Sequence, residues 1–216
     1  MISAWLQKLR NLFKQPPLLI LKDVLDKVPG QPLRISSFLV LDLSENPSKP
    51  LREYGTVRAG TPADVPGMCL LENKQELFLD RFDKGESCLI ALNDREVVGY
   101  IWFSDKHSHM EQRYNYRLDI PEDSIYSYDC FIHQAYRLRG IWVLFQKRLF
   151  ERAKMLGRKR IITMVDYANT ASLKTHLRYG YAIRRNVLWI RCFTSDHFLA
   201  CSPAQRRDVM FPFQAG

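Results

Sequence analysis

Within the twenty residues from Tyr126 to Phe145, YSYDCFIHQAYRLRGIWVLF, the pattern passes from strand through a basic turn into helix, and this joint limits the folds open to the chain. Tyr126 to His133 is rich in aromatic and β-branched residues and lies between turn signals at Pro121 and Gln134, so it reads as a buried strand. Arg137, Leu138, Arg139 and Gly140 then form a turn, and a helix follows from Ile141. A strand that runs through such a turn into a helix N-terminus sets free N–H groups beside two guanidinium groups. That combination seats a phosphorylated ligand.

Arg137-x-x-Gly140-x-Trp142 resembles the Gln/Arg-x-x-Gly-x-Gly/Ala turn of the GNAT superfamily of N-acetyltransferases, where backbone amides hold the pyrophosphate of coenzyme A. Asn169-x-x-Ser172 followed by Gly180-Tyr181 resembles that family's Asn-x-x-(Ala/Ser)…Gly-Phe helix, which lines the pantetheine arm. Val57 to Met68, VRAGTPADVPGM, is similar to the first strand and first helix of the fold, and Arg95 to Phe103, REVVGYIWF, to the strand with an early glycine. The four segments follow the family's order over residues 55–193. The resemblance implies an α/β fold of the α+β type: a mixed, mostly antiparallel sheet with helices on both faces. Two central parallel strands, here 126–133 and 160–165, would splay into a V that admits the pantetheine arm. The chain then divides into an N-terminal extension (1–53), an acyltransferase domain (54–193) and a C-terminal tail (194–216). The implied cofactor contacts are the backbone of Phe131, Ile132 and His133, the turn Arg137, Leu138, Arg139, Gly140, Ile141 and Trp142, and Asn169 with Ser172.

Charge divides unevenly. Residues 133–216 carry 16 Lys/Arg against 4 Asp/Glu, whereas residues 1–132 carry 16 against 19. A basic half around a phosphate turn suits coenzyme A, and equally an acidic carrier protein. The aromatic and basic interleaving of a nucleic-acid module is missing, so nucleic acid is not the expected partner. Five cysteines (69, 88, 130, 192 and 201) without Cys-x-x-Cys spacing read as reduced packing residues in a cytoplasmic protein. His107 and His109 form an incomplete metal pair, read as solvated loop histidines, and no metal is expected.

In chain order, Ile2, Trp5, Leu6, Leu9, Leu12 and Phe13 fall at helical spacing with Lys8, Arg10 and Lys14 between them, a basic amphipathic helix over residues 2–15. It packs on the body, docks on a partner, or lies peripherally on a membrane. Leu18 to Val28 reads as a second helix and Leu33 to Leu43 as a strand, and these first fifty residues together cover one edge of the sheet or help close the acceptor cleft. Glu72 to Phe82 reads as a helix, Ser87–Leu92 and Val97–Phe103 as a hairpin, and Lys106 to Ile120 as an extension of that hairpin or an acceptor-side loop. Tyr181 to Phe193 reads as a final hairpin around Arg185-Asn186, and from Thr194 onward there is no strong pattern.

The resemblance implies transfer of an acetyl or other short acyl group from acyl-CoA to a primary amine by direct attack. Two alternatives stand beside it: a catalytically silent module of the same fold that binds a partner or a membrane surface, and an acyl-carrier-protein-dependent long-chain N-acyltransferase. Tyr126 and Tyr128 occupy places where related enzymes often carry a Glu or His general base. A tyrosine, of pKa about 10, is a poor base at neutral pH, so it would order a water chain or donate a proton. Asp129 is either the missing base or a buried acceptor for backbone or arginine donors. His176 stands where many family members have a thiolate-protonating Tyr. Backbone N–H groups of Phe131 to His133 would polarise the thioester carbonyl. Trp142 departs from the usual Gly or Ala, so its indole must turn into the fold or stack beside the cofactor.

Overall fold

In the computed structural model, which describes residues 17–45 and 55–201, the joint at 126–145 lies at the middle of an eight-stranded sheet. Helix α1 (Pro17–Leu25) and strand β1 (Leu33–Leu43) come first. Strand β2 (Thr56–Ala59) leads through a 3-10 turn at Pro62–Asp64 into α2 (Val65–Cys69) and α3 (Gln75–Asp83). Strands β3 (Ser87–Asn93) and β4 (Glu96–Ser104) form a hairpin; β5 (Ser108–Glu111) and β6 (Tyr116–Asp119) form a second. Then β7 (Ser124–Ile132) enters α4 (Ile141–Met155), and β8 (Arg160–Asp166) enters α5 (Thr170–Tyr179). The last are β9 (Ala182–Cys192) and β10 (Ser195–Cys201). The amphipathic pattern at residues 2–15 lies outside the described residues.

The sheet runs β10-β9-β1-β8-β7-β4-β3-β2, with β5 and β6 as a separate pair. Only β7 and β8 are parallel, joined from Ser124 with Arg160 to Ser127 with Thr163; every other pairing in this sheet is antiparallel. Alternation distributes the side chains to two apolar layers. One layer packs Leu39, Leu41, Ile101, Ile125 and Ile161 against Phe145 and Leu149 of α4. The other packs Ile90, Tyr100, Trp102 and Tyr126 against Met68 of α2 and Phe78 of α3. Helices therefore cover both faces. The start of α2 is fixed locally, because the Thr61 amide donates to Asp64 Oδ2 at 2.8 Å and Arg58 grips the same carboxylate at 2.6 and 2.9 Å.

Three elements differ from the sequence expectation. Strand β1 does not cover an edge but lies inside the sheet, between β8 and β9. Its Asp42, 3 % exposed, pairs with Arg184 of β9 at 2.6 Å and lies 3.8 Å from Arg160 of β8, while the Ser37 hydroxyl donates to Asn186 at 2.6 Å. Those polar pairs suit one register and no other, since a slip by one residue would bury the carboxylate without a partner. Residues 182–192 form one continuous strand rather than a hairpin around Arg185-Asn186. Strand β1 supplies the partner, and Asn186 is buried against Ser37 instead of turning into solvent. The hairpin turn falls at Phe193-Thr194, where Phe193 takes a positive φ of 54°, and 195–201 returns as β10. Residues 106–120 do not extend the β3–β4 hairpin; they hold the separate β5–β6 pair. Its Tyr114 packs on Phe38 and Trp189 and donates to Asp166 at 2.7 Å, which ties this excursion across the sheet.

Candidate active site

The parallel ladder ends at Ser127 and Thr163, and beyond it β7 and β8 diverge. At the point of parting the Thr163 hydroxyl donates to the Ser127 carbonyl at 2.9 Å, a side chain standing in for a ladder bond. The opening is a cleft of about 1520 Å³. It is lined by Tyr128, Asp129, Phe131, Ile132, Arg137, Leu138, Arg139, Gly140, Ile141, Trp142, Asn169, Ser172 and His176, so most of the residues singled out in the sequence meet at one place. Tyr126 and His133 are not among the lining residues.

At one end of the cleft the chain leaves β7 through a 3-10 turn, Gln134–Tyr136, and enters α4. Leu138 has φ 63° and Gly140 φ 85°, two left-handed residues within three, which reverse the chain sharply ahead of the helix. The Gly140 carbonyl accepts the first helical bond, from Leu144 at 3.0 Å, and no side chain caps the helix, so its first amides face outward. Arg137 is braced by its Nε, which donates to the Ile132 carbonyl at 3.1 Å, and the Arg139 guanidinium lies over the Tyr136 ring. Trp142 turns into the fold: its indole meets His176 at 4.9 Å and Tyr179 at 5.1 Å between centroids, both on α5. The bulky side chain thus leaves the backbone of the turn accessible.

On the opposite wall Asn169 caps α5, its side chain accepting from the Ser172 amide at 3.1 Å. His176 is buried, and its Nδ1 lies 2.8 Å from the Ser172 carbonyl. A carbonyl only accepts, so Nδ1 carries the proton and Nε2 is bare. Burial holds the imidazole below its ordinary pKa, so it is neutral at neutral pH. In that form it accepts a proton at Nε2 rather than giving one to a thiolate.

The β7 backbone corrects one expectation. The His133 amide donates to the Val98 carbonyl at 2.9 Å, and alternation points the Phe131 amide the same way, toward β4. Neither is free to polarise a carbonyl in the cleft. The intervening amide, Ile132, faces the side of β8.

Asp129 is a β-bulge: the pairing with β4 shifts between Ile101 and Trp102, and Asp129 takes φ 40°. Its carboxylate meets Arg81 at 2.5 Å and Lys74 at 3.6 Å, so its oxygens are taken up by two cations. The tyrosines have carboxylate partners of their own. Tyr126 donates to Glu111 at 2.5 Å and Tyr128 donates to Glu86. Burial first, then these carboxylates, pushes both hydroxyls well above the usual tyrosine range. His109, expected as a solvated loop residue, is largely buried; its ring stands 4.2 Å from that of Tyr128, and burial lowers its pKa. No local motif marks Glu86 or Glu111, which reach the tyrosines across 42 and 15 residues, from a helix end and a hairpin.

Among known proteins, a family model described as the acetyltransferase (GNAT) family matches residues 61–181. A search of curated protein sequences finds no match. Among solved structures, a functionally unknown conserved protein from Staphylococcus epidermidis superposes with a TM-score of 0.54 at 12% identity, covering 81% of this chain and 67% of its own. An aminoglycoside N-acetyltransferase in complex with CoA gives 0.49 at 16% identity, covering 59% of this chain and 91% of its own. A putative acetyltransferase from Salmonella typhimurium with acetyl-CoA gives 0.41 at 19% identity, covering 60% and 80%.

Proposed function

Because the chain belongs to the acetyltransferase (GNAT) family, matched over more than half its length, we propose that the cleft between β7 and β8 binds an acyl-CoA and passes its acetyl or other short acyl group to a primary amine. The observation that carries this is the turn from Arg137 to Gly140, whose left-handed residues and uncapped α4 amides form an anion seat at the mouth of the splay. The pyrophosphate would rest there, with Arg137 and Arg139 beside it. The pantetheine arm would run between the diverging strands, past Asn169 and Ser172, and the Ile132 amide would face the thioester carbonyl. The amine nitrogen attacks the carbonyl carbon, and the C–S bond breaks once the nitrogen has lost its charge. The alternative donor is an acyl-carrier protein, whose pantetheine arm would enter the same cleft, and a donor panel of acyl-CoA and acyl-carrier thioesters separates the two.

The test is calorimetry and thermal shift with coenzyme A. Wild-type protein should bind it and melt higher. In Gly140→Asp the side chain puts a negative charge beside the phosphates, while aspartate tolerates a left-handed φ better than most residues, so the fold survives. The shift should vanish with the unliganded melting temperature within a few degrees. A wild-type chain that ignores millimolar coenzyme A removes the proposal.

A further inference from the structure

On the side of β7 that carries Tyr126 and Tyr128, four carboxylates meet buried tyrosines or basic groups: Glu72, Glu86, Glu111 and Asp129. They differ in what they touch. Glu72 accepts from Tyr100 and from Lys74 at 3.1 Å, and Asp129 is held by Arg81 and Lys74. Glu111 accepts from Tyr126, which does not line the cleft. Glu86 alone among these accepts from a hydroxyl whose residue lines it, Tyr128.

The position of Glu86 follows from how α3 ends. Gly85 takes φ 71°, its amide donates to the Phe82 carbonyl at 2.9 Å, and the Glu86 amide donates to the Arg81 carbonyl at 2.9 Å. This left-handed closure reverses the chain and brings Glu86 back along the helix end. Arg81 then faces it, with Nε 3.8 Å from Oε2, and lays its guanidinium over the rings of Tyr128 and Trp102 at 5.2 and 5.1 Å. His109 holds the Tyr128 ring at 4.2 Å. Among the described residues, charged groups near this spot include Asp129, which pairs with Arg81 and Lys74, and Glu111, Lys84 and Lys106.

We propose that Tyr128 and Glu86 act as a relay for the proton of the acceptor amine, so that the proton sink of this chain sits at the end of α3 instead of on β7. It rests on the acyl-transfer reading of the cleft. The ammonium proton passes to Tyr128 Oη while the hydroxyl's own proton passes to Glu86 Oε2. Tyr128 stays neutral throughout. The freed lone pair forms the C–N bond, the C–S bond breaks, and the nitrogen's second proton leaves with the sulfur as thiol. Glu86 returns its proton to water. A tyrosine held above its usual range cannot serve as a lone base, and in a relay it never has to ionise. Arg81 and His109 are positioning residues in this scheme.

The relay separates acceptors by their charge. With acetyl-CoA, a panel of primary alkylamines, protonated at neutral pH, is compared with hydroxylamine, which is small and already neutral. Glu86→Gln keeps an acceptor for the Tyr128 hydroxyl but takes no proton; Tyr128→Phe removes the link. Each should slow alkylamine acetylation about a hundredfold and hydroxylamine acetylation less than about threefold, with coenzyme A affinity unchanged. The double variant should be no slower than either single one. Equal losses on both kinds of acceptor, or a selective loss in Asp129→Asn and not in Glu86→Gln, would overturn the relay. A wild type that binds acetyl-CoA but acylates neither class of acceptor would overturn the acyl-transfer reading itself.

Discussion

Replacing Gly99 by alanine tests whether the wall of the cleft is as tightly set as its geometry implies. Gly99 lies in β4 opposite Ile132 of β7. A Cβ built there would stand 2.9 Å from the Phe131 carbonyl oxygen, 3.2 Å from Ile132 Cγ1 and 3.4 Å from Ile132 Cα. The alanine has one advantage, a less flexible unfolded chain, which contributes about 0.4–1 kcal/mol. Against it stands overpacking, which costs about 1–3 kcal/mol, and here the nearest atom is backbone and cannot rotate away. The clash should win, with a net loss of about 1–2 kcal/mol. For a chain of this length that lowers the melting temperature by roughly 2–8 °C in a circular-dichroism melt. Phe131 and Ile132 also line the cleft, so parting β4 from β7 should weaken coenzyme A about tenfold in calorimetry, or about 1.4 kcal/mol. An unchanged or raised melting temperature would mean that the two strands separate there without cost, and the reasoning from contact distances would fail.

Two further outcomes follow from contacts away from the reacting centre. Hydrogen bonds from Arg58 hold the Asp64 carboxyl down to about 2 from an ordinary value of 3.8, so its contribution is complete above pH 4 and is lost as pH falls toward 2. The difference in urea midpoint between wild type and Asp64→Asn should therefore shrink across that window, and a constant difference would contradict the assignment. Trp142→Ala should cost about 2–3 kcal/mol in urea unfolding, since the half-buried indole joins α4 to His176 and Tyr179 of α5; a loss below about 0.5 kcal/mol would show that it pins nothing.

Local pattern carried much of the fold. Residues 33–43, 87–104, 124–132 and 160–166 alternate or run apolar as strands do, and 141–155 has an unbroken helical stripe, so their type was readable residue by residue. The partnerships were not. Nothing near Asp42 announces that its counter-ions are Arg184 and Arg160, and without them a strand between β8 and β9 has no local signature. The turn at 137–140 was legible because its glycine and arginines stand at a fixed, local spacing. The carboxylate partners of the tyrosines were not, because Glu86 and Glu111 are brought to them by a helix end and a separate hairpin, with only tertiary structure relating them. Asp129 shows both limits: its place in the strand was visible, but the bulge that turns it toward Arg81 depends on how β4 and β7 pair.

The insertion of β1 between β8 and β9 also sets an order of events during synthesis. The Ser37–Asn186 bond joins residues 149 apart, so the central sheet cannot close until the last third of the chain exists. Until then β1 presents two unsatisfied edges and the apolar side chains of Phe38 to Leu41 to the cell. Pairings of such long range are slow to find and leave sticky surface exposed while they wait. A ribosome-stalled fragment ending before β8 should accordingly recruit a chaperone or aggregate, even though its β3–β4 hairpin is already complete.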